Sequence, residues 1–262
     1  MPKRTCGSSI FSIASSSDSS PRKGKHPVDR EEIIKQIATY VKQRMAADRS
    51  GHDWWHVYRV WQNARSIAEV EQADLFVVEL AALLHDIADW KFHAGDESVG
   101  PRMARACLEE VQVDLPTIDH VCQIIAALPF KGAGVPSPMA TLEGRVVQDA
   151  DRLDALGAIG IARAFAYGGH AGRAIYDPEV PPEQHLSFEA YKRSTGSTIN
   201  HFYEKLLLLK DRMNTPTGRR MADGSHFFMQ AFLDRFFSEW GALPASADAG
   251  SAESKGLPER DM

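Results

Sequence analysis

The sequence predicts an all-α protein with a single helical domain. Apolar residues recur every three or four positions through nearly the whole middle of the chain. No stretch alternates apolar and polar with a period of two, and no internal repeat divides the chain. Residues 31–47 set Ile33, Ile34, Ile37, Tyr40 and Val41 on one face, and residues 53–70 do the same with Val57, Val60, Trp61, Ala64, Ile67 and Ala68. Residues 75–89 are apolar nearly all round, the pattern of a central buried helix. Further helices are expected over 101–112, 117–128 (stopping at Pro129), 144–166 (stopping before Gly168-Gly169), 187–213 and 225–240. Residues 167–186 interrupt the pattern with Gly168, Gly169, Gly172, Pro178, Pro181 and Pro182, and also carry His170, Arg173 and His185. They read equally as a functional loop and as a solvated excursion.

The domain spans 28–242. Residues 1–27 are Ser-, Lys- and Arg-rich with one acid, Asp18, and 243–262 lack periodicity, so both ends are expected to be disordered tails. With 44% hydrophobic residues in 262, the chain can fill one sizeable core. A formal charge of -5 argues against the global positive field of a nucleic-acid binder. No apolar run approaches the roughly 18 residues that span a bilayer. Cys6, Cys107 and Cys122 are odd in number and form no CxxC pair, which fits a reduced, cytoplasmic chain. Organellar targeting by the Ser/Arg-rich start is the weaker alternative.

Chemistry is expected where polar residues stand in places the helical pattern reserves for apolar ones. His85 and Asp86 follow Leu83-Leu84 and precede Ile87. Asp149 lies in line with Leu153, Leu156 and Gly160, on what should be a core face of the 144–166 helix. A buried carboxylate costs several kcal/mol, on the order of its desolvation, unless something pairs with it. A divalent cation would supply that counter-charge, with His56, on the border of the 53–70 core face, as a fourth ligand. The bland readings are core or capping histidines and an Asp149 paired with Arg145 or Arg152. Two imidazoles and two carboxylates form a mixed nitrogen and oxygen set that suits Mn, Fe, Co, Ni or Zn better than Ca.

The order His56, His85-Asp86, Asp149 resembles the signature of the HD-domain metal-dependent phosphohydrolases. The segments "HDWWHVYRVW" from His52, "LLHDIADWKF" from Leu83, "VVQDADRLDALGAIGIAR" from Val146 and "HFYEKLLLLKDRMNT" from His201 are similar to a subgroup of small stand-alone bacterial members. The similarity covers roughly residues 30–240, with the metal-binding core at about 52–157. It implies an all-α HD fold, metal ligands His56, His85, Asp86 and Asp149 holding one divalent metal (Mn first, with Fe, Co, Ni, Zn or Mg as alternatives), and hydrolysis of nucleoside triphosphates to monophosphate and pyrophosphate by activated water. Asp86 is the expected proton acceptor. His52 is expected to cap the helix with Asp53 or to orient His56. The two-metal members' extra histidine is missing from "IIAALPF", and although His93 and His120 lie in the same interval, one metal is expected. Candidate phosphate contacts are Lys91, Lys131, Arg152, His201 and Lys205. The expected partner is therefore a small phosphorylated substrate, a nucleotide first. A nucleotidase or phosphodiesterase on the same fold is the enzymatic alternative, and a metal-stabilised ligand-binding module the non-catalytic one.

Overall fold

The computed structural model describes residues 29–46, 53–88, 96, 98–130, 135–183 and 196–241. Among them the secondary structure is helical throughout, with no strand. The elements are α1 (Arg30–Arg44), α2 (Trp54–Glu71), α3 (Leu75–Leu84), α4 (Val99–Glu110), α5 (Leu115–Ala127), α6 (Leu142–Asp154), α7 (Gly157–His170), α8 (Thr198–Glu204) and α9 (Pro216–Trp240). Short 3-10 turns at Leu206–Leu208 and Lys210–Arg212 lead from α8 towards α9. The expected tails at 1–27 and 243–262 lie outside the described residues.

Helix α3 sits at the centre, as its all-round apolar sequence requires. Phe76, Val77, Val78 and every residue from Leu80 to Leu84 are buried, and α1, α2, α5 and α6 surround them. Each large aliphatic side chain enclosed there contributes roughly 1.5–3 kcal/mol. Starts are set by caps: Asp53 accepts from the His56 amide at 3.0 Å, Asp74 from Phe76 and Val77, and Asp114 from Thr117. Cys107 and Cys122 are free and buried, as expected of small hydrophobes.

Several boundaries differ from the sequence expectation: the central helix ends at Leu84 and not at 89, and the helix expected to stop before Gly168-Gly169 runs to His170. The helix expected over 144–166 is two helices. The chain is extended at Leu156 and left-handed at Gly157 (φ 66°), and a Cβ on Gly160 would stand 2.2 Å from the Ala155 carbonyl oxygen. Only glycines permit so tight a reversal. Of the helix expected over 187–213, residues 187–195 lie outside the described residues, and from Thr198, behind the Ser197 cap, the rest divides into α8 and two 3-10 turns. Helix α9 begins at Pro216 rather than 225, because Thr215 caps it and proline suits its first turn. The Gly/Pro segment is docked on α8 where it is described: Thr198 and Ile199 donate to the Ala174 and Ile175 carbonyls, and the Asn200 side chain donates to that of Val180. His170 is exposed at the end of α7, Arg173 lies over the Tyr167 ring at 5.8 Å, and His185 is outside the described residues.

Asp149 anchors α9 to α6. Its Oδ1 accepts from the Asn214 amide and side chain, and its Oδ2 from the Thr215 amide and hydroxyl, each at 2.8 Å. A Cβ on Gly218 would lie 2.5 Å from Asp149 Oδ2. Gly218→Ala should therefore destabilise the fold by about 1–3 kcal/mol, the usual cost of overpacking, read as a lowered midpoint in thermal or urea unfolding.

Candidate metal centre

Four side chains from three places in the chain converge on one point. Helix α2 supplies His56 in its first turn, the end of α3 supplies His85 and Asp86, and α6 supplies Asp151. The two imidazole Nε2 atoms stand 3.2 Å apart. Asp86 Oδ2 lies 3.3 Å from His56 Nε2 and 3.6 Å from that of His85. Asp151 Oδ1 lies 3.7 and 3.8 Å from the same two atoms. His56 and His85 are buried, whereas the Asp86 and Asp151 side chains keep 24% and 36% exposure, so the cluster opens to solvent along its carboxylate edge.

The orientation of each ring follows from its other nitrogen. His85 Nδ1 donates to the Ala82 carbonyl at 2.8 Å, and His56 Nδ1 donates to Asp154 Oδ2 at 2.6 Å. Those bonds place the proton on Nδ1 and turn both Nε2 lone pairs inwards. Four acceptors then face one another across a space that holds no donor of their own. A cation fits this donor set. Ligand atoms at about 2.1 Å from one ion and at right angles to each other stand about 3 Å apart, close to the spacing of the two Nε2 atoms.

Asp154 is the support behind His56. It is buried at 3% exposure and also accepts from Arg59 Nε at 2.6 Å and from an Arg163 guanidinium nitrogen at 2.9 Å. Burial alone would raise its pKa, but the bonds from His56 and Arg59 outweigh it and hold the carboxyl well below the usual range. Burial likewise disfavours charge on His56, and the bonds to Asp154 and then Asp86 overcome it, so this imidazole sits above its ordinary pKa.

The structure brings His56, His85 and Asp86 together as expected. It does not bring Asp149 to them: both Asp149 oxygens point at the start of α9, and Asp151 stands where Asp149 was expected. Arg152 is buried, and its guanidinium donates to the Arg212 carbonyl and to Ser137 Oγ at 3.1 Å, so it braces the fold instead of facing solvent. Lys205 closes α8, one turn after the half-buried His201. His120 bonds Thr141 Oγ1 at 2.9 Å and ties α5 to the start of α6, away from the cluster. His52, Lys91, His93 and Lys131 lie outside the described residues.

Residues 54–156 match the HD domain family, and the chain belongs to it. It is 40% identical over 206 residues to YpgQ of Bacillus subtilis, covering 76% of this chain and 89% of that protein. The crystal structure of YpgQ in complex with ADP superposes with a TM-score of 0.64, at 35% identity, over 82% of this chain and 97% of that one. A Lactobacillus plantarum protein of known structure gives a TM-score of 0.72 at 40% identity, over 80% of this chain and 98% of that one. An HD-superfamily hydrolase from Bacillus thuringiensis gives 0.63 at 43% identity, over 82% and 100%.

Two outcomes are expected. Asp154→Asn leaves one acceptor oxygen for three donors, so divalent-metal affinity should fall 10–100-fold, the typical effect of losing the partner behind a ligating histidine, as read by titration calorimetry. Because the cation must displace a proton from the high-pKa His56, metal affinity should also weaken as pH falls through that pKa, with protons released on binding. Calorimetry in buffers of different ionisation enthalpy checks this.

Proposed function

We propose that this chain is a divalent-metal phosphohydrolase that converts a nucleoside triphosphate into monophosphate and pyrophosphate. The open-edged cluster of two imidazoles and two carboxylates carries the reading, because it offers one cation a mixed nitrogen and oxygen site with substrate access from one side. The ADP complex of the Bacillus subtilis relative supports a nucleotide as substrate class. His56, His85, Asp86 and Asp151 would hold the metal, Mn²⁺ by preference, in a cytoplasmic enzyme. When bound, the cation supplies Lewis acidity, drawing charge from a phosphoryl oxygen and easing deprotonation of water.

The protein's own groups do the rest. Asp86, partly exposed at the open edge, accepts the proton of the attacking water. The new bond joins that water's oxygen to the α-phosphorus, the bond to the α–β bridging oxygen breaks, and its electron pair leaves with pyrophosphate. The buried pair His56 and Asp154 fixes the site's geometry so that no side chain needs to reorganise. Lys205 and His201 on α8 supply positive charge and a donor to the phosphate chain, with Lys91 and Lys131 as further cation candidates.

Incubation with a panel of nucleoside triphosphates and Mn²⁺, followed by separation of products, should give equimolar monophosphate and pyrophosphate, and a strong chelator should stop it. Asp151→Ala should remove both metal binding and turnover. Asp149→Ala should instead lower folding stability by about 3 kcal/mol or more, since it strips a buried anchor from four donors. Orthophosphate released from monophosphates would make the chain a nucleotidase. No turnover of any phosphate ester by metal-loaded protein would overturn the proposal.

A further inference from the structure

Helix α7 faces water with an uncharged side. Where α1 turns Glu31, Glu32, Lys35 and Lys42 to solvent, α7 turns Ile159, Ala162 and Ala166. Its only basic or acidic side chains are Arg163 and His170, and Arg163 is held by Asp154. An amphipathic surface helix ordinarily shows water its charged face.

Helix α9 lies beside it. A Cβ on Gly157 would stand 3.0 Å from Ser225 Oγ, and the Phe165 and Phe232 ring centroids are 6.0 Å apart. The two contacts are spaced alike along both helices, so α7 and α9 run side by side in the same direction. On α9, Phe227 is 73% and Phe228 is 51% exposed, flanked by exposed Gly224 and Ala231. Phe228 comes three residues after Ser225 and four before Phe232, so it lies on the edge of α9 that borders α7. Ala162, three residues before Phe165, lies on the matching edge of α7. The uncharged surface is therefore continuous across both helices. At ~1.5 Å per residue and ~10 Å of helix width, the pair presents a footprint of about 600 Å². Side-chain relief brings that to the order of the roughly 800 Å² that each partner gives to a stable dimer.

Charge stands at the rim, and it is self-complementary. Arg220 and Asp234 are exposed and lie seven residues before and after Phe227, two turns each way on the same side of α9. A second α9 crossing antiparallel at Phe227 sets the Arg220 of each copy against the Asp234 of the other. A parallel crossing sets like charges together. An apolar centre inside a polar rim is the anatomy of a protein interface, and a two-fold pair uses one patch on both chains.

We propose that the exposed face of α7 and α9 is the contact between two copies of this chain, related by a two-fold axis, with the two α9 helices antiparallel and two Arg220–Asp234 pairs closing the rim. The proposal stands apart from the phosphohydrolase reading.

Sedimentation velocity on the full-length chain, from low to high micromolar concentration, tests it. The wild type should reach twice the monomer mass of 29.0 kDa. Phe228→Asp combined with Ala162→Asp should stay at the monomer mass with an unchanged helical circular dichroism spectrum. Arg220→Asp and Asp234→Arg should each weaken the dimer about tenfold, which corresponds to about 1.4 kcal/mol. The two charge swaps together should restore it, which a simple folding defect would not do. A wild-type chain that stays monomeric would overturn the proposal, and so would a dimer that survives the Phe228 and Ala162 changes. Failure of the double swap to restore the dimer would overturn the antiparallel arrangement.

Discussion

The bond between Asp154 and His56 Nδ1 is the contact on which the centre depends. Two arginines from α2 and α7 hold Asp154 ionised within the protein, and Asp154 in turn fixes one imidazole with its free nitrogen aimed at the partner ring on α3. Remove that carboxylate, and Arg59 and Arg163 lose their shared acceptor while His56 is free to turn. Charge buried this deeply is costly, and it persists because both Asp154 oxygens have cationic or imidazole partners. The outcome is rigidity at the place where a mobile ligand would weaken metal binding most.

Helix α6 distributes four polar residues over six positions, and surroundings alone decide what each does. Asp149 faces the start of α9, where backbone amides and a hydroxyl satisfy it, and it acts as an anchor. Asp151 faces the two histidines at the open edge, with oxygens available to a cation. Arg152 reaches across to the turn before α9. Asp154, on the last turn, grips α2 and α7. One helix thus ties the metal edge to the turn before α9 and to α2 and α7, and the chain reversal at Gly157 ends the helix just beyond Asp154.

Much of this was legible in the residues. Apolar spacing identified the central α3 and its neighbours, because burial is what that spacing encodes. His56, His85 and Asp86 stood out as polar groups at the edge of an apolar core. The same reasoning chose Asp149 as the fourth carboxylate, which the structure places against Asn214 and Thr215 and not beside the histidines. Searching for an acid on a core face selects one that the fold satisfies, which is Asp149, whereas the carboxylate that stands beside both imidazoles, Asp151, is partly in solvent. Treating 144–166 as one helix reinforced the choice, since it put Asp149 in line with Gly160 across a reversal that the glycines themselves create. Asp154, Arg59 and Arg163 left no local trace, because their contact joins residues 95 positions apart in one case and forms only once α2, α6 and α7 have packed.

Anomalous X-ray scattering from crystals grown with Mn²⁺, measured on both sides of the manganese absorption edge, tests the central claim most directly. The account predicts one strong peak per chain within bonding distance of His56 Nε2, His85 Nε2, Asp86 and Asp151, with Asp149 still bonded to Asn214 and Thr215. A peak beside Asp149, or none at the His56 and His85 pair, would contradict it.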